Sequence, residues 1–183
     1  MPGLVTGHSL LQTIDDSCRV QSQQPGDCSA SITFGEQFKV VELWGGLLTL
    51  SSALSDEGIN LFAFCECHGL LHKLACAMHP TVHAASRVEE GAWRQWLHLL
   101  SASDVVVLVG GPSCTSLSYA GKQLAGDDPT SRYLFDHLKV AAYLGAAIVA
   151  LENVEWLVDG DASHQLFTQM KLLAASLGYR LQH

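Results

Sequence analysis

DVVVLVGGPSC, residues 104–114, is the stretch that decides how this chain folds. Valines dominate positions 105–109, and a short apolar run of β-branched residues reads as a strand buried on both faces. Gly110 and Gly111 let the backbone turn tightly and come close to a ligand. Pro112 then fixes one dihedral and stiffens the turn. Cys114 is therefore expected at a loop tip, just beyond the carboxyl end of a buried strand.

Outward from this strand, short apolar runs alternate with amphipathic segments. Residues 39–44 (KVVELW), 60–65 (NLFAFC) and 147–151 read as further strands. Leu47, Leu50, Ser51 and Leu54 recur at helical spacing before Gly58. Leu71, Leu74, Ala75 and Met78 make one face of a second helix, ended by Pro80. Trp93, Trp96, Leu97 and Leu100 make a third, and further helices are predicted near 131–144 and 162–177. Strands alternating with helices predict an α/β fold, a parallel sheet with helices on both faces. Ligands bind at the carboxyl ends of such strands. That selects Gly45-Gly46, Glu66-Cys67, residues 110–114 and residues 152–154.

Composition sets the bounds. The 183 residues fit one domain of ordinary size. A net charge of −8 excludes a binder that relies on a broad basic surface. Hydrophobic residues at 48% and charged ones at 15% are enough for a real core. The longest nearly apolar run, residues 140–151, is short of the roughly 20 residues a membrane span needs. Residues 1–37 are polar and irregular, and are expected to form a weakly ordered extension before a core at 38–183. No basic flank precedes an apolar stretch at the N-terminus, so an intracellular protein is expected, its six cysteines reduced.

Three groups of residues carry candidate chemistry. Cys114 is a nucleophile if its thiolate is accessible, and otherwise a small inert hydrophobe. Glu152, in ALENVEWL, is an acid between apolar neighbours at a strand end. It either holds a proton at a raised pKa or starts a helix and favours its dipole. His68, His72 and Cys76 follow i, i+4, i+8 spacing, with His79, Cys65 and Cys67 near. That pattern can hold zinc, but a polar helix flank beside a core stripe is the plainer expectation, and no metal is expected.

Taken in order, ELWGG, FCECH, GGPSC with a downstream serine, GKQ (121–123), Asp128 with LFD (134–136), ENV (152–154) and LGY (177–179) resemble the cytosine-5 DNA methyltransferases over residues 38–183. The resemblance implies a Rossmann-like S-adenosylmethionine-dependent methyltransferase fold. It implies that Cys114 adds to carbon 6 of cytosine, so that carbon 5 can attack the methyl sulfonium of the cofactor. Glu152 matches the acid that holds the ring edge, and Asn153 takes a positioning role in substrate binding. The base must leave the duplex, and residues 115–128 would close over DNA, with Ser118 and Lys122 touching phosphates. For the cofactor, Glu66 matches the acid that binds the ribose hydroxyls. Cys67 would pack on adenine, Leu43, Trp44 and Gly46 would form the turn near the methionine moiety, and Pro112 would border the site.

The chain departs from the family at several positions. The usual turn Asp-Leu-Phe-x-Gly-x-Gly-Gly is here 42–49, ELWGGLLT, with Leu48 and Thr49 in place of two glycines. That replacement is expected to weaken the cofactor site. Ser86 is nearest to the third-strand acid that reads the adenine amine, and Pro-Pro-Cys-Gln is here 112–115, PSCT. Arg132 is slightly displaced from the family's arginine. The target-recognition half is expected in a complementing C-terminal piece. DNA is the expected partner, with transfer RNA the family's other substrate class and no membrane role. The alternative function is an inactive methyltransferase-like scaffold, distinguished by the absence of saturable heat with S-adenosylmethionine at millimolar concentration.

Overall fold

A computed structural model describes residues 37–56, 58–115, 117, 127–160 and 163–183. The expected extension, residues 1–37, lies outside them apart from Gln37. Five strands form one sheet: β1 (Phe38–Leu43), β2 (Leu61–Cys65), β3 (His83–Ala85), β4 (Val105–Gly110) and β5 (Ile148–Leu151). Their order is β3-β2-β1-β4-β5 and every pairing is parallel. Helices α1 (Thr49–Ser55), α2 (Gly69–Met78), α3 (Arg132–Leu144), α4 (Trp156–Asp159) and α5 (His164–Ser176) connect or follow the strands. A 3-10 helix (Ala92–Leu99) links β3 to β4. Among the described residues no helix is long and apolar enough to cross a membrane.

The register places the strand ends abreast. Leu43 pairs with both Cys65 and Gly110, Cys65 with Ala85, and Gly110 with Leu151. The ladder continues one residue further at three strands. Trp44 donates to the Cys65 carbonyl, Glu66 to that of Ala85 and Glu152 to that of Gly110. The chain order reverses between β1 and β4, which is where doubly wound sheets open a crevice.

Alternation along the strands divides the core. Val41, Leu43, Ala63, Cys65, Val106 and Leu108 pack with Trp93, Trp96, Val140 and Leu144 on one side. Leu48, Phe64 and Ala75 form a smaller cluster. Leu117, Leu134, Leu138, Leu166, Phe167 and Met170 form a third around α3 and α5.

Several sequence expectations are corrected. Strand β3 was not expected from its three residues, because it has no apolar run and exists by pairing with β2. The helix carrying Trp93 and Trp96 is 3-10, so a spacing of three stacks both indoles inward and leaves Leu97 exposed. Helix α2 turns Ala75 to the sheet, while Leu74 and Met78 are 43% and 54% exposed rather than on the buried face. Leu47 and Leu50 likewise point outward, and Leu48 and Ser51 take the interior.

Candidate active site

The turn after β1 is held by a buried acid. Glu42 is enclosed within the sheet, and its carboxylate accepts from the Ser51 N–H at 2.9 Å and from the Ser51 hydroxyl. Burial pushes its pKa up, while the Ser51 bonds act the other way. The carboxylate thus caps the first turn of α1 across the loop, where helix N–H groups lack partners. Between these anchors, Trp44, Gly46 and Leu48 all take left-handed backbone angles, with φ of 53°, 55° and 59°. Leu48 keeps the conformation that favours glycine. Its side chain is buried against Phe64 and Ala75, beneath the turn. The side chain therefore does not stand over the ligand edge, as the sequence comparison with a glycine turn suggested.

At the end of β2, Glu66 ties two turns together. One carboxylate oxygen accepts from the Gly46 N–H at 2.8 Å, and the other from the His68 N–H at 2.6 Å. Each oxygen has a second lone pair, so the buried carboxylate can still accept from hydroxyl donors. Cys67 is exposed beside it, its pKa raised by burial of the thiol's surroundings and by the Glu66 charge. Cys65 is buried and pushed up to about 12, chiefly by desolvation. Ser86 is exposed immediately after β3.

The ends of β4 and β5 meet at the candidate catalytic residues. Gly111 faces Glu152, and a Cβ at Gly111 would lie 2.9 Å from a Glu152 carboxylate oxygen. The Asn153 amide donates to the Pro112 carbonyl at 3.1 Å, and Asn153 Oδ1 accepts from the Val154 N–H at 2.9 Å. Pro112 is buried, whereas Cys114 and Glu152 are exposed. The strand-end acid, the amide and the thiol are thus brought to one edge. Ser118 and Lys122 lie outside the described residues.

The helix expected near 131–144 is present as α3, and it supports this edge, a contact that the sequence does not announce. Tyr133 and His137, one turn apart on α3, both pack on Trp44, with ring centroids 5.6 and 5.8 Å away. A Cβ at Gly110 would lie 3.1 Å from His137 Cε1, so the imidazole fills the space under the β4 end. His137 is fully buried, and desolvation lowers its pKa to about 4, with the Ala150 carbonyl opposing. It is neutral near pH 7. Arg132 pairs with Glu89 at 3.0 Å, tying the start of α3 to the segment after β3. The i, i+4 spacing of Tyr133 and His137 was the available signal, but nothing in the sequence pointed it at Trp44.

Cys76 Sγ lies 3.6 Å from His72 Nε2, and among the described residues no group of three His, Cys, Asp or Glu side chains is placed to hold a metal.

Residues 38–183 match the family model for C-5 cytosine-specific DNA methylase. The chain is 28% identical over 161 residues to the Type II methyltransferase M.Eco47II of Escherichia coli, covering 88% of this chain and 37% of that protein. It is 28% identical over 146 residues to M.PspPI of Psychrobacter sp. (strain TA137), covering 79% and 33%. The chain thus spans about a third of the length of these relatives. Two solved structures share the fold. One is described as a DNA modification methyltransferase encoded within a prophage (E. coli), with a TM-score of 0.59 at 15% identity over 76% of this chain and 38% of that one. The other is a variant of Spodoptera frugiperda DNMT2, with a TM-score of 0.52 at 17% identity over 74% and 41%.

Proposed function

Because the chain belongs to the C-5 cytosine-specific DNA methylase family, we propose that it transfers a methyl group from S-adenosylmethionine to carbon 5 of cytosine in DNA. In this reading residues 38–183 are the catalytic core, and a C-terminal half supplies target recognition. The observation that carries the reading is the junction of β4 and β5. Glu152 lies against Gly111, and Asn153 holds the Pro112 carbonyl, two residues before Cys114.

The cofactor's expected residues fit it. Glu66 is a buried acceptor with lone pairs to spare, and Leu48 turns its side chain into the core. Glu66 would hold the ribose, Cys67 would pack on adenine, Pro112 would border the cofactor, and Leu43, Trp44 and Gly46 would form the turn beside the methionine moiety. When bound, S-adenosylmethionine supplies an electrophilic methyl group. Cys114 Sγ, as thiolate, forms a bond to cytosine carbon 6 and shifts the ring's electron pair towards carbon 5. Glu152, as the acid, donates its proton to the ring edge and so offsets the negative charge that the addition places there. After methylation, water takes the carbon 5 proton, the C–H electron pair restores the carbon 5–carbon 6 double bond, and the Sγ–carbon 6 pair leaves on the thiolate. The base must be flipped out for this, with Asn153 positioning the substrate site and Ser118 and Lys122 on flanking phosphates.

The test is DNA methylation itself, measured as 5-methylcytosine by mass spectrometry after nuclease digestion. The chain, alone or with a C-terminal target-recognition half, is expected to form it, and Cys114→Ala to form none. Product formed equally by Cys114→Ala would sink this mechanism. Failure of every combination, with no saturable heat on titration with S-adenosylmethionine, would favour the scaffold reading.

A further inference from the structure

Cys114 is held from both sides in sequence. Upstream, Asn153 fixes the Pro112 carbonyl at 3.1 Å. Downstream, the Leu117 N–H donates to the Cys114 carbonyl at 2.8 Å, and Leu117 is buried in the core around α3 and α5. Between these anchors the thiol is flanked by two hydroxyls. Ser113 Oγ and Thr115 Oγ1 are 2.7 Å apart, and Ser113 Oγ also accepts, at 3.4 Å, from the Thr115 N–H. These are two of the positions where the sequence departs from the family's Pro-Pro-Cys-Gln.

We propose that the Ser113–Thr115 hydroxyl pair positions Cys114, replacing with hydrogen bonds the constraint that a proline before the nucleophile supplies covalently. The proposal rests on the methyl-transfer reading of this site. A proline ring locks φ near −65°, whereas serine leaves that rotation free. A side chain bonded two residues onward restores the restriction across the cysteine. Neither hydroxyl is assigned a part in the chemistry. Both act through the backbone on either side of the thiol, so they are positioning residues. Among the described residues the Ser113 N–H has no hydrogen-bond acceptor, so proline at that position removes no bond to any of them.

The test follows covalent adduct formation with DNA containing 5-fluorocytosine in the presence of S-adenosylmethionine and, if required, the C-terminal half. Thr115→Val keeps the side-chain shape and removes the hydroxyl. It is expected to lower the adduct rate at saturating DNA roughly ten-fold, since small misplacements of a reacting group have costs of this order. The half-saturating DNA concentration is expected to stay put. Thr115→Ser is expected to recover the wild-type rate to within about two-fold, and the double variant Ser113→Pro/Thr115→Val most of it. Iodoacetamide labelling of Cys114, with exposed Cys67 as internal standard, is expected to be the same in wild type and Thr115→Val. Wild-type speed in Thr115→Val, no recovery in the double variant, or a parallel fall in labelling each overturns the proposal. A wild-type protein that forms no adduct overturns the functional reading and this inference with it, and shows this before any variant is compared.

Discussion

Gly111 lacks a side chain where a carboxylate needs the room. A Cβ there would meet Glu152 Oε2 at 2.9 Å, and its backbone angle is one that alanine can adopt. Gly111→Ala is therefore expected to leave thermal unfolding nearly unchanged while slowing methyl transfer roughly ten-fold or more by displacing the acid. Unchanged turnover would mean that Glu152 needs no such placement. The cysteines divide by environment in the same way. With its pKa at about 12, Cys65 is expected to resist alkylation at pH 8 in the folded chain, while exposed Cys114 is labelled. Peptide mapping by mass spectrometry reads both at once. His137 gives stability a defined slope with pH. Its folded pKa of about 4 is below the ordinary 6.5, so the unfolded chain binds the proton first as pH falls. The stabilisation is complete above about 6.5 and is lost as pH falls towards 4, about 3 kcal/mol over the window. Urea unfolding at pH 7 and pH 5 is expected to show His137→Leu losing about 2 kcal/mol less than wild type between the two.

At the scale of elements, the turn between β1 and α1 combines strain with packing. Leu48 sits at φ 59° with its side chain buried against Phe64 and Ala75. Leu48→Gly relieves the left-handed backbone but deletes a buried leucine. A net loss of about 2 kcal/mol in unfolding free energy is expected, because cavity formation outweighs the strain. S-adenosylmethionine affinity, measured by calorimetry, is expected to change by less than about two-fold. A marked gain in affinity would show that Leu48 does obstruct the cofactor. Strands β1, β2, β4 and β5 were legible as short apolar runs, most clearly the valine-rich 105–110, which suit a sheet buried on both faces. Strand β3 was not, since His83–Ala85 gains its ladder only from β2. On the expected faces of α1 and α2, Ser51 and Ala75 do turn inward, whereas Leu47, Leu50, Leu74 and Met78 are exposed. Glu42 draws Ser51 inward, and Leu48, rather than Leu47, packs with Ala75 against Phe64. Cys114, Glu152 and Glu66 were legible as strand-end residues, but the support of Trp44 by Tyr133 and His137 is a tertiary contact with no local signature.

In this account the proposed chemistry of the described core lies at one edge of the sheet. Parallel register sets Trp44, Glu66, Gly111 and Glu152 one residue beyond four aligned strand ends, so the fold itself delivers the proposed cofactor and base residues together. A net charge of −8 supplies little general attraction for DNA. In this account the affinity for DNA comes mainly from the target-recognition half, and the described core supplies the thiol and the acid. The central claim is that Cys114 is the nucleophile towards cytosine. Its most direct measurement is mass spectrometry of the peptide bearing Cys114 after incubation with S-adenosylmethionine and DNA containing 5-fluorocytosine, alone and with the C-terminal half. The expected result is a nucleotide covalently attached to Cys114, absent from Cys114→Ala. Attachment at another residue, or an adduct that persists in Cys114→Ala, would contradict it.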